Sequence, residues 1–162
     1  MHRFDDYAYM GVALGLARRA GALGEVPVGA IVVYQDQIIG RGFNLREHTQ
    51  NPLLHAEMIA LKQASQFLSS WRLIDCTLYV TLEPCSMCAG ALIQSRVDRV
   101  VYGCTDPKGG AVESLYTLLS DTRLNHKAQV KSGCRSKECS TLLTHFFQAR
   151  RIQNKRKKLN KQ

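Results

Sequence analysis

The amino-acid sequence predicts an α/β fold, a sheet carrying helices on both faces. Three features point there. Short apolar runs of strand length alternate along the chain with stretches of helical periodicity. Gly-, Pro- and Asn-containing breaks separate them. At 162 residues and 45% apolar content the chain suits one compact domain around a single sizeable core, with no internal repeat and no second domain.

Tyr7, Met10, Leu14 and Ala17 recur at helical spacing, and Gly21 and Gly24 supply a stop. Val28 to Tyr34 is an apolar run that Gln35-Asp36-Gln37 separates from Ile38-Ile39, which predicts a hairpin. Asn44 to Leu54 reads as a loop broken by Asn51-Pro52. A helix is expected from His55 through Ala56, Ile59, Ala60 and Ala64, then a buried strand from Thr77 to Leu82 that Pro84 ends. Met87 to Gln94 reads as helix and Val97 to Tyr102 as strand. In the loop from Gly103 to Gly110, Asp106-Pro107-Lys108-Gly109 places Pro and Gly where a type I turn wants them. A further helix, a short strand near Val130 and a long helix from about Ser136 complete the domain, taken as residues 1–152. Residues 153–162 read as a basic tail continuing the last helix.

The charge is uneven. Of a net +9, residues 150–162 supply seven positive charges and no acid, leaving about +2 for the rest of the chain. A basic end on a nearly neutral body suits a polyanion contact, although a frayed, solubilising end has the same composition. No stretch reaches the roughly 18 apolar residues of a membrane span. The polar start Met1-His2-Arg3-Phe4-Asp5-Asp6 lacks a signal-peptide core, so a cytoplasmic protein is expected. In that compartment the six cysteines are expected reduced, some of them on a metal.

The chemistry resides in His55-Ala56-Glu57 and, thirty residues on, Pro84-Cys85-Ser86-Met87-Cys88. Cysteines three apart share one face of a helical turn, so Cys85 and Cys88 can reach one ion, with His55 as a third ligand. Three protein ligands leave the fourth tetrahedral position for water, as in catalytic zinc sites, and two thiolates with a neutral imidazole balance Zn²⁺. Residues two apart on a regular helix point nearly opposite ways, so His55 and Glu57 serve one site only if the metal lies off the helix end. Glu57 can then carry protons for the bound water. A lone C-x-x-C also fits a redox pair or half of a structural zinc site. Cys134 and Cys139 could supply the other half, but 45 residues lie between Cys88 and Cys134, far beyond the roughly 15–20 usual there. Cys76, Cys104, Cys134 and Cys139 are expected as packed thiols. His2, His48, His126 and His145 belong to no motif.

Together the motifs match the H-x-E…P-C-x-x-C signature of zinc deaminases. Over about residues 5–152 the chain resembles the bacterial tRNA-specific adenosine deaminases of the cytidine-deaminase superfamily. Glu25-Val26-Pro27-Val28-Gly29-Ala30, Gly42-Phe43-Asn44, Trp71-Arg72-Leu73 and the stretches around His55 and Cys85 carry that resemblance. Asp106 to Ala111, Asn125-His126 and Phe146-Phe147 before Arg150-Arg151 extend it. It implies a three-layer α/β/α sandwich around a five-stranded mixed sheet, a homodimer, and one Zn²⁺ per subunit. The implied reaction converts the wobble adenosine of an arginine tRNA to inosine, with a zinc-activated water, Glu57 as proton shuttle and the base flipped out of the anticodon loop. It also implies that Asn44 bonds the base, where an Asx turn is the alternative, and that Val28 lines the pocket. Asp106 and Lys108 become nucleotide contacts, against a purely structural turn, and Phe147, Arg150 and Arg151 become substrate contacts. Two features depart from the family. Leu53-Leu54 precede His55 where an alanine is usual, so a reshaped pocket rim is expected, and Cys134 and Cys139 lie outside the pattern. A deaminase of a free base or nucleoside shares the same motifs. A zinc-stabilised RNA-binding module without activity would have no use for Glu57.

Overall fold

The computed structural model describes residues 5–160; Met1 to Phe4, Lys161 and Gln162 lie outside the described residues, and with them most of the polar start, His2 and the last basic residue of the tail. Helix α1 (Asp6–Ala22) begins where the Asp5 carboxylate accepts the Ala8 amide at 3.0 Å, and the chain leaves it through Gly24 at φ +80°. Its inner face buries Met10, Ala13, Leu14, Ala17 and Ala20. Strands β1 (Gly29–Tyr34) and β2 (Gln37–Phe43) form the expected hairpin. Its turn is only Gln35-Asp36, at φ 46° and 59°, the left-handed pair of a type I′ turn, so Gln37 already belongs to the strand.

Beyond β2 the expected loop contains one helical turn, α2 (Arg46–Thr49), before α3 (Ala56–Leu68). Strand β3 (Cys76–Leu82), helix α4 (Ser86–Gln94) and strand β4 (Arg99–Cys104) follow. The helix expected ahead of Val130 is reduced to a three-residue 3-10 turn, Leu118–Ser120. Ahead of that turn the Val112, Glu113 and Ser114 amides bond the Glu83 carboxylate. Strand β5 (Gln129–Lys131) and helix α5 (Ser136–Leu159) end the described chain, and α5 runs without a break through the basic tail.

The strands order β2-β1-β3-β4-β5, with β2, β1 and β3 antiparallel and β3, β4 and β5 parallel. This is the mixed five-stranded sheet expected. Alternate residues face opposite ways along each strand. Ile31, Val33, Tyr79 and Val101 therefore pack under α1 and α5, while Ala30, Val32, Leu78, Val80 and Val100 pack under α3 and α4. Gly42 lets α3 close on β2: a Cβ there would stand 2.1 Å from the Ala56 carbonyl oxygen. That contact seats the start of α3, and with it His55, at the end of the sheet. No helix among the described residues is long and apolar enough to cross a membrane.

Candidate active site

Two helix starts meet beyond the carboxyl ends of β3 and β4. His55 is the extended residue capping α3, and Glu57 sits in that helix's first turn. Cys85 caps α4 immediately after Pro84, and Cys88 lies in its first turn. The site thus lies off both helix ends, which is how His55 and Glu57, two residues apart, can face one place. His55 Nδ1 lies 3.6 Å from the Sγ atoms of both Cys85 and Cys88, and the three donor atoms fall within 4.8 Å of one another. A tetrahedral zinc with Zn–N of about 2.05 Å and Zn–S of about 2.3 Å would set its N and S ligands about 3.6 Å apart. The donor set and its spacing both fit zinc.

Protons are shared unequally in this cluster. The Cys88 thiol, with help from His55, holds Cys85 down to about 4, and giving that hydrogen bond pushes Cys88 far up. The Cys85 hydrogen bond raises His55. Glu57 is only 4% exposed, and burial pushes its carboxyl up to about 6. Its carboxyl lies beside Cys88 and opens into the cleft. A carboxyl poised between its charged and neutral forms beside a metal-donor set is suited to carrying protons.

The cleft has a volume of about 720 Å³. His55, Glu57 and Cys85 form part of its wall together with Val28, Asn44, Asp106, Lys108, Phe147 and Arg151. Arg150 is absent from that wall: its guanidinium lies over the Phe146 ring, 5.4 Å from the centroid. Asn44 already serves the fold, since its Oδ1 accepts the Ala56 amide at 3.0 Å and its Nδ2 donates to the Val26 carbonyl at 3.1 Å. One N–H and one lone pair of the amide remain for a ligand. Asp106 organises its own loop, its Oδ1 accepting the Lys108 and Gly109 amides at 3.1 Å each, and Gly110 N–H closes back on the Asp106 carbonyl. The turn is therefore longer than the expected type I turn. Leu53 is exposed, and neither it nor Leu54 is among the residues that line the cleft.

The remaining thiols are free, with Cys76, Cys104 and Cys139 buried and Cys134 donating to the Asp6 carbonyl. Cys134 and Cys139 take no part in the donor cluster, which removes the four-cysteine arrangement. Two cleft residues lie in stretches that carry the resemblance but had no role assigned from the sequence. Glu25 and Glu83, each 2% exposed, bond backbone amides of the loops flanking the cleft. A lone acid inside an apolar stretch was the available signal for each. Burial opposes the Glu83 charge, but the Ser114 hydroxyl and the Asp106, Glu113 and Ser114 amides hold its carboxyl down to about 2.

A His/Cys/Cys donor set with a buried glutamate, beneath an α/β/α sandwich, defines a deaminase. A model of the MafB19-like deaminases matches residues 4–151. The chain belongs to the tRNA-specific adenosine deaminase family. It is 47% identical over 157 residues to the tRNA-specific adenosine deaminase of Bacillus subtilis, covering 97% of this chain and 96% of the relative. It is also 47% identical over 151 residues to that of Haemophilus influenzae, covering 93% and 87%. Among solved structures, a tRNA:A34 deaminase that edits A to I at the wobble position superposes with a TM-score of 0.81 at 40% identity, covering 84% of this chain and 99% of the other. A guanine deaminase from Nitrosomonas europaea shares the fold with a TM-score of 0.74 at 25% identity, covering 86% and 83%.

Proposed function

We propose that this chain hydrolyses the wobble adenosine of a tRNA anticodon loop to inosine, with an arginine tRNA as the first substrate to try. The observation that carries this reading is the buried Glu57 beside three metal donors in a cleft that Lys108, Phe147 and Arg151 also line. His55, Cys85 and Cys88 would hold one Zn²⁺ per subunit, whose Lewis acidity makes a water nucleophilic near neutral pH. Glu57 accepts the proton of the attacking water and passes it to the ring nitrogen next to the carbon bearing the exocyclic amine. A second proton, carried by Glu57, leaves with the amine as ammonia. Water and adenosine are thus consumed, and inosine and ammonia are formed. Asn44, through its unused N–H and lone pair, orients the base, and Val28 packs against it. Asp106, Lys108, Phe147 and Arg151 hold the flanking nucleotides, and Arg150, stacked on Phe146, meets a phosphate outside the cleft.

Residues 1–152 make up the deaminase domain, and 153–162 form a basic extension along the RNA. The working unit is a cytoplasmic homodimer. An anticodon loop presents its bases unpaired, which lowers the cost of flipping one out. Incubation with total tRNA, free adenosine, cytidine and guanine, followed by nucleoside analysis, tests the reading. Inosine at the wobble position, with little turnover of the small molecules, is the expected result, and efficient deamination of guanine or cytidine with tRNA untouched would overturn it. Glu57→Gln is expected to keep zinc and RNA affinity while the rate falls by about 10²–10⁴.

A further inference from the structure

The loop that carries Asp106 and Lys108 into the cleft has no regular secondary structure, yet its backbone donors are engaged, those of Asp106, Val112, Glu113 and Ser114 by one side chain. Glu83, near the end of β3 and two residues before Cys85, accepts the Asp106 amide at 2.9 Å and the Ser114 hydroxyl at 2.5 Å on Oε2. Its Oε1 accepts the amides of Val112, Glu113 and Ser114 at 3.2, 2.8 and 2.8 Å. No cation pairs with it among the described residues. The chain passes so close that a Cβ on Gly110 would stand 2.3 Å from the Glu83 carboxyl carbon. The same join is sealed by the Ala111 amide on the Pro84 carbonyl at 2.9 Å and by the strand-like pairing of Cys85 with Gly110.

Five donors converge on one carboxylate. An amide in its place offers a single acceptor oxygen and turns two N–H donors toward other donors, so glutamine cannot reproduce the arrangement. With its acceptor positions filled by the loop, Glu83 is not a second proton carrier, although it borders the cleft. We propose that Glu83 is a positioning residue: it ties the 106–114 loop to the strand end that leads into the zinc cysteines, and so sets where Asp106 and Lys108 meet the RNA. For its kinetic readout this rests on the deaminase reading above.

The test uses the full zinc-loaded chain and the variants Glu83→Gln, Ser114→Ala, Lys108→Ala and the Glu83→Gln/Lys108→Ala pair. Zinc content, amide hydrogen exchange and steady-state kinetics on an anticodon stem-loop RNA are measured. Glu83→Gln is expected to retain zinc and to speed exchange at Asp106, Val112, Glu113 and Ser114 about tenfold or more, with α3 and α4 unchanged. KM should rise about tenfold with kcat within about threefold, the pattern of lost binding contacts. In the pair, the cost of Glu83→Gln should shrink once Lys108 is gone, because both act through one loop. Ser114→Ala removes a single donor from an exposed residue and should shift exchange and KM the same way by a smaller factor. Unchanged loop exchange in Ser114→Ala and Glu83→Gln would overturn the proposal. So would zinc loss with an unchanged KM in the remaining enzyme, or strict additivity with Lys108→Ala. If Glu83→Gln does not fold, exchange in Ser114→Ala decides. If the wild-type chain leaves RNA unmodified, the deaminase reading fails while exchange and zinc content still judge Glu83.

Discussion

Replacing Asp6 by asparagine keeps the side chain's shape and removes one negative charge from a buried ion cluster at the end of the sheet away from the cleft. Asp6 receives two hydrogen bonds from Arg99, at 2.9 and 2.8 Å, one from Lys131 at 2.6 Å and one from the Tyr79 hydroxyl at 2.9 Å. Burial opposes its charge, but Arg99, Lys131 and Tyr79 more than reverse that and hold the carboxyl well below the usual range. Breaking a fully buried pair by removing one partner costs about 3–5 kcal/mol. The Arg99 side chain is 17% exposed and Lys131 55% exposed, so the Lys131 share is screened and about 3 kcal/mol is the expected loss. For a chain of this size that lowers Tm by about 6–12 °C. Because the folded pKa is depressed, the stabilisation is fully present above the unfolded value near 3.8 and fades as pH falls through the lower folded value. Thermal melts of wild type and Asp6→Asn should therefore differ by a constant gap from about pH 5 to 8 that narrows below about pH 4. At a permissive temperature kcat/KM should match wild type. A gap under about 2 °C at neutral pH, or one that persists undiminished at pH 3, would show that the Asp6 charge does not stabilise the fold in this way.

Two further outcomes follow from the site and the tail. Cys88→Ala, which leaves two donors of the three within 4.8 Å, should lose both zinc and deamination; a full zinc complement by elemental analysis would show the ligand set to be wrong. Deleting residues 153–162 removes the exposed Lys155, Arg156, Lys157 and Lys158 together with Lys161, so the salt slope of RNA binding should shrink by about one per lost phosphate contact. An unchanged slope would make the tail a solubilising end.

The elements that local pattern alone decides were legible in the sequence. Apolar runs marked β1, β3 and β4 because strands buried on both faces need apolar residues at successive positions. The His55/Glu57 and Cys85/Cys88 pairs were legible because first-turn spacing on two helices limits where side chains can meet, and the geometry of a metal does the rest. Family resemblance, not periodicity, supplied the joining of the strands into one mixed sheet. Residue spacing alone did not reveal what depends on partners far along the chain. In place of the helix expected after Gly110 stands a loop whose Val112, Glu113 and Ser114 amides bond Glu83, some thirty residues earlier. Asn44 is shared between the start of α3 and the Val26 carbonyl, and Arg150 turns onto Phe146 while Arg151 enters the cleft. Neighbouring arginines on one helix point about 100° apart, so which of them faces a site depends on how the helix is packed. A buried carboxylate likewise shows its purpose only when the loop that surrounds it is in place. Composition and spacing determined the chemistry this chain can hold, and tertiary packing decided which side chains stand around it, because those contacts join residues that local sequence cannot relate.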